Sequence, residues 1–484
     1  MLLRHASHYL VASAVSAFFG LLSTVVFTRL LTPGQYGVYV VGVGIAGIVS
    51  AVLFTWVRYA AMRFQPEGGV DVRATTLVAY CASAAMAPLA VIAVVLIWRC
   101  PLEQAICAAF FALGLGLFEL GQELLKARLQ TGPYVLASTV RCVLAFALCL
   151  PVAYLGGGGI AQIGAAGLAY FVTSALIAGR VWRPPVAPIE WTRLSTFLTL
   201  GVSLTFSGFL FAFHSALDRL MVAWILGGDA AGVYGASADL VRQLILIPAG
   251  SVAAAATPLA VRALSQGGPG EARKQLEAGA ELLLAVLVPT VIGVALTSPY
   301  LIEFVLGPAF RATARSIVPI LAFAWLFQSI TQSYVHLSYH LAKRPGLGTA
   351  QGLITLAVNA TTLWPLIAVF GLPGAAASLV MAEAAGAASG FALSGYAHPL
   401  PGVLRPLRRV GAATGIMALV IVELERLLPQ KTLASLALLI GGGVAAYGLA
   451  ALAFDIADSR AFLSAVMQKR PSPSAGARNP LDRL

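Results

Sequence analysis

Long, nearly uncharged apolar runs fill this chain of 484 residues and leave few folds open to it. Hydrophobic residues make up 59% of the sequence and charged residues only 10%, with a mean hydropathy of +0.88. A soluble domain carries about 25% charged residues, so most of this chain's surface must face lipid. The runs approach the roughly 20 residues that a helix needs to cross a bilayer, and they lack the alternation of a β-barrel strand. The composition predicts an all-α polytopic membrane protein.

The apolar runs predict about fourteen transmembrane helices with very little mass outside the bilayer. The first run passes straight into Thr28-Arg29 without a clear cleavage site, which favours an uncleaved span over a signal peptide. The predicted spans are residues 10–30, 37–57, 74–98, 105–125, 134–154, 160–179, 196–226, 232–256, 279–298, 316–336, 349–370, 372–396, 409–428 and 432–454.

The basic residues indicate how these spans are oriented. The net charge is +12, but the basic residues are scattered singly and in pairs, so no nucleic-acid partner is expected. With the N-terminus in the cytoplasm, the inside segments hold 22 Lys and Arg residues and the outside loops hold 5. This asymmetry follows the positive-inside rule and predicts that both termini are cytoplasmic. The outside loops are too short to hold an enzyme active site, which favours a transporter.

A sequence element recurs in the two parts of the chain. An Arg-Leu pair at 29–30 is followed by a turn and by Gly-Val-Tyr at 37–39. A second Arg-Leu pair, at 219–220, is followed by a turn and by Gly-Val-Tyr at 232–234. We interpret this as a parallel repeat of two six-helix halves. The alternative is an aromatic turn that is common at membrane interfaces.

The repeat suggests domain boundaries. The predicted units are an N-terminal half at 1–180, a C-terminal half at 181–400, two additional helices at 401–456 and a disordered cytoplasmic tail at 457–484. The tail is predicted to be disordered because it is rich in Pro, Ser, Arg and Ala.

Arginines inside the predicted spans require an explanation, because a charge at mid-bilayer costs about 2.5–3.5 kcal/mol. Guanidinium groups bind phosphate and carboxylate through paired donors, so these arginines predict a cationic lumen for an acidic or pyrophosphate-linked substrate. The alternatives are ion pairs that only hold helices together, or snorkelling near helix ends. The candidate substrate-binding residues are Arg29, Arg141, Arg219 and Arg242.

Acidic residues inside the spans are candidates for ion coupling, because burial favours proton uptake by a carboxylate. The candidates are Asp218, Asp239, Glu119 and Glu383. Two structural alternatives remain open: Asp239 pairs with Arg242 three residues later, and Glu119 forms a solvated cap near the helix end.

Other site chemistry is not expected. His336 and His340 lie one turn apart without a third ligand, and the five cysteines show no metal or disulfide spacing, so we predict no metal site. No phosphate-binding Gly-x-x-x-x-Gly-Lys-[Ser/Thr] motif occurs, which excludes direct ATP use by this chain. No cofactor is expected.

Residues 23–39, which include Thr28-Arg29-Leu30 and the first Gly-Val-Tyr triplet, resemble the opening of the oligosaccharide flippase family of polysaccharide biosynthesis proteins. Asp218-Arg219-Leu220 followed by 232–234 resembles the start of that family's second half. The resemblance implies a MATE-like fold of the MOP superfamily: two six-helix halves around a central cavity, here with two extra C-terminal helices.

The resemblance also implies a function. Such a flippase moves an undecaprenyl-pyrophosphate-linked oligosaccharide from the cytoplasmic to the periplasmic leaflet of the bacterial inner membrane by alternating access, coupled to a proton or sodium gradient. The product would feed exopolysaccharide, capsule or O-antigen biosynthesis. Expected partners are the lipid-linked oligosaccharide, membrane lipid, a polysaccharide polymerase and chain-length proteins, with the flippase itself monomeric.

Three other functions are alternatives to an oligosaccharide flippase. A MATE-type multidrug exporter would carry an acidic cation site in its N-terminal half, but the first span has no Asp or Glu, and the arginine excess disfavours cationic drugs. A lipid II flippase shares the fold and stays open as an alternative. A membrane-embedded polymerase or ligase would need larger loops.

Overall fold

The computed structural model describes residues 2–65, 71–183, 187–428 and 430–467, and in this part of the chain it contains helices and no strands. The helices are α1 (Leu2–Leu30), α2 (Pro33–Phe64), α3 (Arg73–Ala84), α4 (Ala87–Trp98), α5 (Leu102–Ala127), α6 (Thr131–Tyr154), α7 (Gly158–Val181), α8 (Trp191–Leu226), α9 (Gly228–Val305), α10 (Pro308–Ile330), a π-helical segment (Thr331–Val335), α11 (His336–Leu341), α12 (Gly346–Phe370), α13 (Leu372–Ser394), α14 (Leu404–Leu427), α15 (Leu433–Phe454), a 3₁₀ turn (Ile456–Asp458) and α16 (Ser459–Met467).

The number of membrane-spanning helices agrees with the prediction. Ten of the described helices are long and apolar enough to cross a membrane, and the pair α3–α4, bent by 41°, adds an eleventh. Among the ten, α9 counts once although its 78 residues cover two predicted spans and are interrupted at Gly268, where φ is 75°. The remaining two predicted spans lie on α1, whose apolar part is Ala14–Leu30, and on α14, which is charged near both ends. About fourteen spans result.

The bundle has two distinct ends. The connections α1–α2, α6–α7, α8–α9 and α12–α13 are only a few residues long and lie at what we call the short-loop end. The opposite end, which we call the basic end, carries the connections α2–α3, α7–α8 and α11–α12 and most of the basic residues.

Helices of the first half pack directly on those of the second half, with α2 against both α8 and α9 and α1 against α9. At the short-loop end this contact depends on two glycines. A Cβ atom on Gly37 would collide with the carbonyl oxygen of Gly228, and one on Gly232 would collide with the carbonyl oxygen of Pro33. The two Gly-Val-Tyr triplets therefore meet each other, and we call this contact the glycine seam.

Hydrogen bonds reinforce the short-loop end beside the glycine seam. The backbone N–H of Gly307 donates to Thr28 Oγ1 at 2.9 Å. The guanidinium of Arg29 donates to the carbonyl oxygens of Phe304 at 2.6 Å and Val305 at 2.9 Å, the last residues of α9. Such carbonyls lack partners within their own helix, so Arg29 caps α9.

The two C-terminal helices form a pair on the outside of the second half. Helices α14 and α15 pack against each other and against α9. Their contacts form two small buried clusters, one around Val410 and Ala413 and one around Tyr300 and Met417. The described structure is therefore two six-helix halves plus a terminal pair.

Candidate functional site

A cavity of about 780 Å³ lies between the two halves, bounded by α1, α6 and α9. It joins a smaller chamber of about 210 Å³ that reaches toward the short-loop end. We call the two together the arginine cavity. The residues that line both chambers are Ser16, Gly20, Arg141, Asp239 and Gln243.

Two of the predicted arginines line this cavity, and neither forms an ion pair with an acidic residue in the part of the chain that the structure describes. The guanidinium of Arg141 lies over the ring of Tyr170, 5.4 Å from its centroid, and donates to Cys142 Sγ at 2.9 Å. Arg242 lies 5.7 Å from the centroid of the Trp325 ring. Aromatic faces stabilise a cation without neutralising it. Both positive charges therefore stay available to an anion.

The third predicted arginine, Arg219, binds an acidic residue that lines the cavity. Arg219 on α8 donates to Asp239 on α9 at 2.5 Å, and both side chains are mostly buried. The expected pairing of Asp239 with Arg242 is not formed, because the tight turn at Gly227 brings α8 alongside α9 and places Arg219 closer. Three guanidinium groups and one carboxylate leave this region with a formal surplus of positive charge.

Sequence reasoning missed three polar residues of the arginine cavity. Tyr36 and Tyr39 line the inner chamber from α2, and Gln243 lies one turn beyond Asp239 on α9. The carboxamide of Gln243 fits against Gly20, where a Cβ atom would approach Gln243 Oε1 to 2.6 Å. That oxygen is buried without a hydrogen-bond donor. The four-residue spacing between Asp239 and Gln243 was the available signal.

The fourth predicted arginine lies elsewhere. Arg29 is exposed and caps α9 at the short-loop end, so the structure does not bring it into the cavity. Its position in the last turn of α1 accounts for this, since a long side chain there reaches the neighbouring helix end rather than the bundle axis.

A second cavity, of about 670 Å³, lies mainly within the C-terminal half between α8, α10, α12 and α13. We call it the acid cavity. Glu383 lies on its wall and accepts hydrogen bonds from Gln328 Nε2 at 2.9 Å and from His214 Nε2 at 3.0 Å. Thr349 and Gln351 contribute further polar groups to the wall.

Asp218 lies one turn beyond His214 on α8 and is buried. Its carboxylate accepts hydrogen bonds from Asn359 Nδ2 at 3.0 Å and from the Tyr234 hydroxyl at 3.3 Å. Tyr234 is the last residue of the second Gly-Val-Tyr triplet. The triplet therefore joins the glycine seam to a buried carboxylate.

Neither Asp218 nor the remaining acidic candidate, Glu119, is among the residues that line the two cavities. Glu119 accepts a hydrogen bond from Arg58 at 2.6 Å, a contact between α5 and α2, while the nearby Glu123 pairs with Lys126 at 2.7 Å. Among the described residues, no group of three His, Cys, Asp or Glu side chains could hold a metal ion.

The arginine cavity extends from below the glycine seam toward the basic end. Its inner chamber stops at Tyr36 and Phe27, beneath the glycine seam. Its outer part extends along α6 as far as Tyr134, close to the first turn of that helix at the basic end. The lining therefore places Arg141 and Asp239 between the glycine seam and the basic end.

Residues 26–315 match the family described as polysaccharide biosynthesis proteins. The chain belongs to this family. Its fold is similar to that of the lipid II flippase MurJ in an inward closed conformation, with a TM-score of 0.76, 13% identity, and coverage of 93% of this chain and 98% of that one.

Other transporters of the MOP superfamily have a similar fold at lower similarity, one of them a multidrug resistance transporter. An inward-facing MATE transporter of the MOP superfamily gives a TM-score of 0.54 at 14% identity, covering 84% of this chain and 95% of that one. A MOP superfamily transporter from Pyrococcus furiosus gives 0.55 at 15% identity, covering 82% and 94%. No curated protein matches the sequence. The chain is thus a multi-pass membrane protein with the MOP transporter fold.

Proposed function

We propose that this protein translocates an undecaprenyl-pyrophosphate-linked oligosaccharide repeat unit from the cytoplasmic to the periplasmic leaflet of the bacterial inner membrane, for surface polysaccharide biosynthesis. The observation that carries this proposal is the arginine cavity, where Arg141 and Arg242 face open space without acidic partners. Membership of the polysaccharide biosynthesis family supports the class of substrate.

The charge of the cavity suits a pyrophosphate. Guanidinium groups donate paired hydrogen bonds to phosphate oxygens, and such charge-assisted bonds are about twice as strong as neutral ones. Asp239 would repel the same anion if it were free, but Arg219 neutralises it. The Arg219–Asp239 pair therefore leaves the positive charges of the cavity available to a doubly charged headgroup.

The wall of the cavity also suits a lipid. Beyond the arginines it is lined by small and apolar residues of α1 and α9, including Ala17, Leu246, Ile247 and Ala254. Ile247 is 40% exposed. A polyprenyl chain lying along this wall would keep its contact with apolar surface while the pyrophosphate binds Arg141.

Alternating access then follows from the two ends. We propose that substrate enters the arginine cavity from the basic end, which the positive-inside rule assigns to the cytoplasm. Release at the other face requires the glycine seam to open and the basic end to close. We propose that an ion gradient drives this change, because the sequence contains no phosphate-binding Gly-x-x-x-x-Gly-Lys-[Ser/Thr] motif for ATP.

The test is export by a strain lacking the native gene and carrying Arg141→Ala or Arg242→Ala. We expect each variant to lower surface polysaccharide at least about tenfold, as loss of one charge-assisted contact of about 1.5–3 kcal/mol implies. Immunoblotting should show normal abundance. Arg180→Ala, an exposed arginine in the last turn of α7, is the matched control and should export normally. Full export by both cavity variants would contradict the proposal.

A lipid II flippase is the second candidate, favoured by the full-length similarity to MurJ. The same strain separates the two. Accumulation of a lipid-linked repeat unit after loss of the gene supports the oligosaccharide, whereas accumulation of lipid II with arrested cell-wall growth supports the alternative.

A further inference from the structure

The acid cavity contains a pair of side chains that the arginine cavity does not need. His214 Nε2 and Glu383 Oε1 lie 3.0 Å apart, at side-chain exposures of only 12% and 5%. We propose that this pair binds the proton whose movement drives the transport cycle. The proposal deepens the proposed function by naming the coupling ion and its site, and it rests on that function only for what the proton drives.

The charge balance of the acid cavity favours binding of a cation, as a proton is. Among the described residues that line it, none is a lysine or arginine. The other titratable groups facing the pair are Asp218 on α8, His336 on α11 and Tyr59 on α2. The carboxylates of Glu383 and Asp218 therefore lie near each other. Among the described groups that face the pair, the imidazoles are the bases that can become cationic. A buried excess of negative charge favours uptake of a proton.

One ring nitrogen of the histidine is left without a partner. His214 Nδ1 is buried and makes no hydrogen bond, while Nε2 is bound to Glu383. When Nε2 carries its hydrogen and donates to the carboxylate, Nδ1 has a lone pair and no donor. An arriving proton adds there to give an imidazolium, or adds to the carboxylate to give a neutral acid, and no other bond changes. Histidine is the side chain whose charge changes in the range of about pH 5–8.

The cavity gives a proton a route to the pair. Its lining includes Pro345 and Gly346, which join α11 to α12 at the basic end, and Thr349, one turn further along α12. Glu383 lies on the same lining. The lining therefore extends from the basic end to Glu383, mainly through the C-terminal half.

The pair also lies close to a π-helical segment. Gln328, which donates to Glu383, lies three residues before the π-helical segment Thr331–Val335. A π-helical turn carries a strained hydrogen-bond pattern and is frequent at functional sites. Val335 packs against Gly390 of α13, where a Cβ atom would approach it to 2.7 Å. A change of charge on Glu383 therefore alters the contacts that hold the π segment against α13.

Helix α8 connects the proton site to the substrate site. It carries His214, which lines the acid cavity, and Arg219, which binds Asp239 on the wall of the arginine cavity. Because these residues lie within six positions of one helix, a shift of α8 on proton binding moves Arg219 and its bond to Asp239. Movement of α8 thus couples the proton site to the substrate site in the transport cycle.

The experiment uses the full chain in detergent without substrate, so its outcome is independent of the proposed substrate. The infrared difference spectrum between about pH 5 and pH 8 should contain the carbonyl band of a protonated carboxyl or the ring bands of an imidazolium. We expect Glu383→Gln to remove the carboxyl band and to change the part of the pH-dependent imidazole signal that comes from His214, while the other five histidines of the chain keep theirs. Asp239→Asn, in the other cavity, should keep both.

Hydrogen exchange supplies the conformational readout. After correction for the intrinsic effect of pH, exchange in the π segment should differ several-fold between the two pH values in the native chain and not in Glu383→Gln. His214→Gln keeps an amide donor for Glu383 and serves as the second variant if Glu383→Gln does not fold. A pH response that survives both substitutions, or a response to sodium at constant pH in its place, would overturn the proposal.

Discussion

The two cavities each contain a mostly buried carboxylate with a nitrogen partner from α8, and they differ in the kind of partner. Asp239 in the arginine cavity is bound by Arg219, whose guanidinium stays charged at every physiological pH. Glu383 in the acid cavity is bound by His214, whose imidazole gains or loses its charge near neutrality. One pair keeps its charge fixed, and the other is able to change it.

This difference separates two requirements of an ion-driven flippase. A pyrophosphate needs a site that stays positive throughout the cycle, since a site that lost its charge would release the substrate on the wrong side. A driving proton needs a site that is occupied in one state and empty in another. Arginine meets the first requirement and histidine the second, and α8 links the two sites because it carries both His214 and Arg219, the arginine that neutralises Asp239.

The largest expected effect comes from breaking the glycine seam, which closes the arginine cavity and leaves the acid cavity untouched. In Gly232→Ala the new methyl group collides with the carbonyl oxygen of Pro33. We expect stability to fall by about 1–3 kcal/mol, the usual cost of overpacking, and export to be lost. Thermal unfolding in detergent and hydrogen exchange of α1 and α2 measure the two consequences.

Gly293→Ala is the matched control, because Gly293 also lies in α9 and has open space around its Cβ position. Exchange in the π segment should stay native in both variants. If Gly232→Ala raised exchange in the π segment as much as in α1 and α2, the two cavities would not be independent units.

A smaller effect is expected from giving the arginine cavity the chemistry of the acid cavity. In Arg219→His the partner of Asp239 is charged at low pH and neutral at high pH. The ratio of variant to native transport, measured in vesicles with the lipid-linked substrate, should therefore fall several-fold from about pH 6 to pH 8. Arg219→Lys keeps its charge across this range and should give a constant ratio. A constant ratio for Arg219→His as well would mean that the charge at this position is unimportant to the substrate.

Much of the fold could be predicted from the sequence because lipid imposes a simple rule. Each span must satisfy its own backbone hydrogen bonds and expose apolar side chains, so a run of about 20 apolar residues is sufficient evidence of a helix. The bend between α3 and α4 and the π segment after Ile330 were not predicted. Both features depend on how neighbouring helices replace lost backbone hydrogen bonds. This cannot be read from a local sequence pattern.

The candidate site was predicted less completely, for a related reason. The presence of Arg141, Arg219 and Arg242 in apolar runs marked them for a buried role, and the structure brings them to one region. The partner of Asp239 could not be predicted, because Arg242 is close in sequence and Arg219 is close in space. Likewise, only the packing of α8 on α13 shows that His214 meets Glu383.

The smallest expected effect concerns a third carboxylate outside the spans, which tests the rule that an arginine partner fixes the charge. Asp71 precedes α3 at the basic end and is bound by Arg73 at 2.6 Å and Arg128 at 3.4 Å. Burial works to raise the pKa of Asp71, but the hydrogen bonds from Arg73 outweigh it and lower the pKa from 3.8 to about 2. A lowered pKa means that the ionised carboxylate stabilises the fold above about pH 4 and that this contribution is lost as the pH falls toward 2. We expect it to be about 1 kcal/mol, reduced by solvent screening. Thermal unfolding of the native chain should therefore approach that of Asp71→Asn as the pH falls from about 5 to about 2. A difference that stayed constant over this range would show that Asp71 contributes by hydrogen bonding alone and not by its charge.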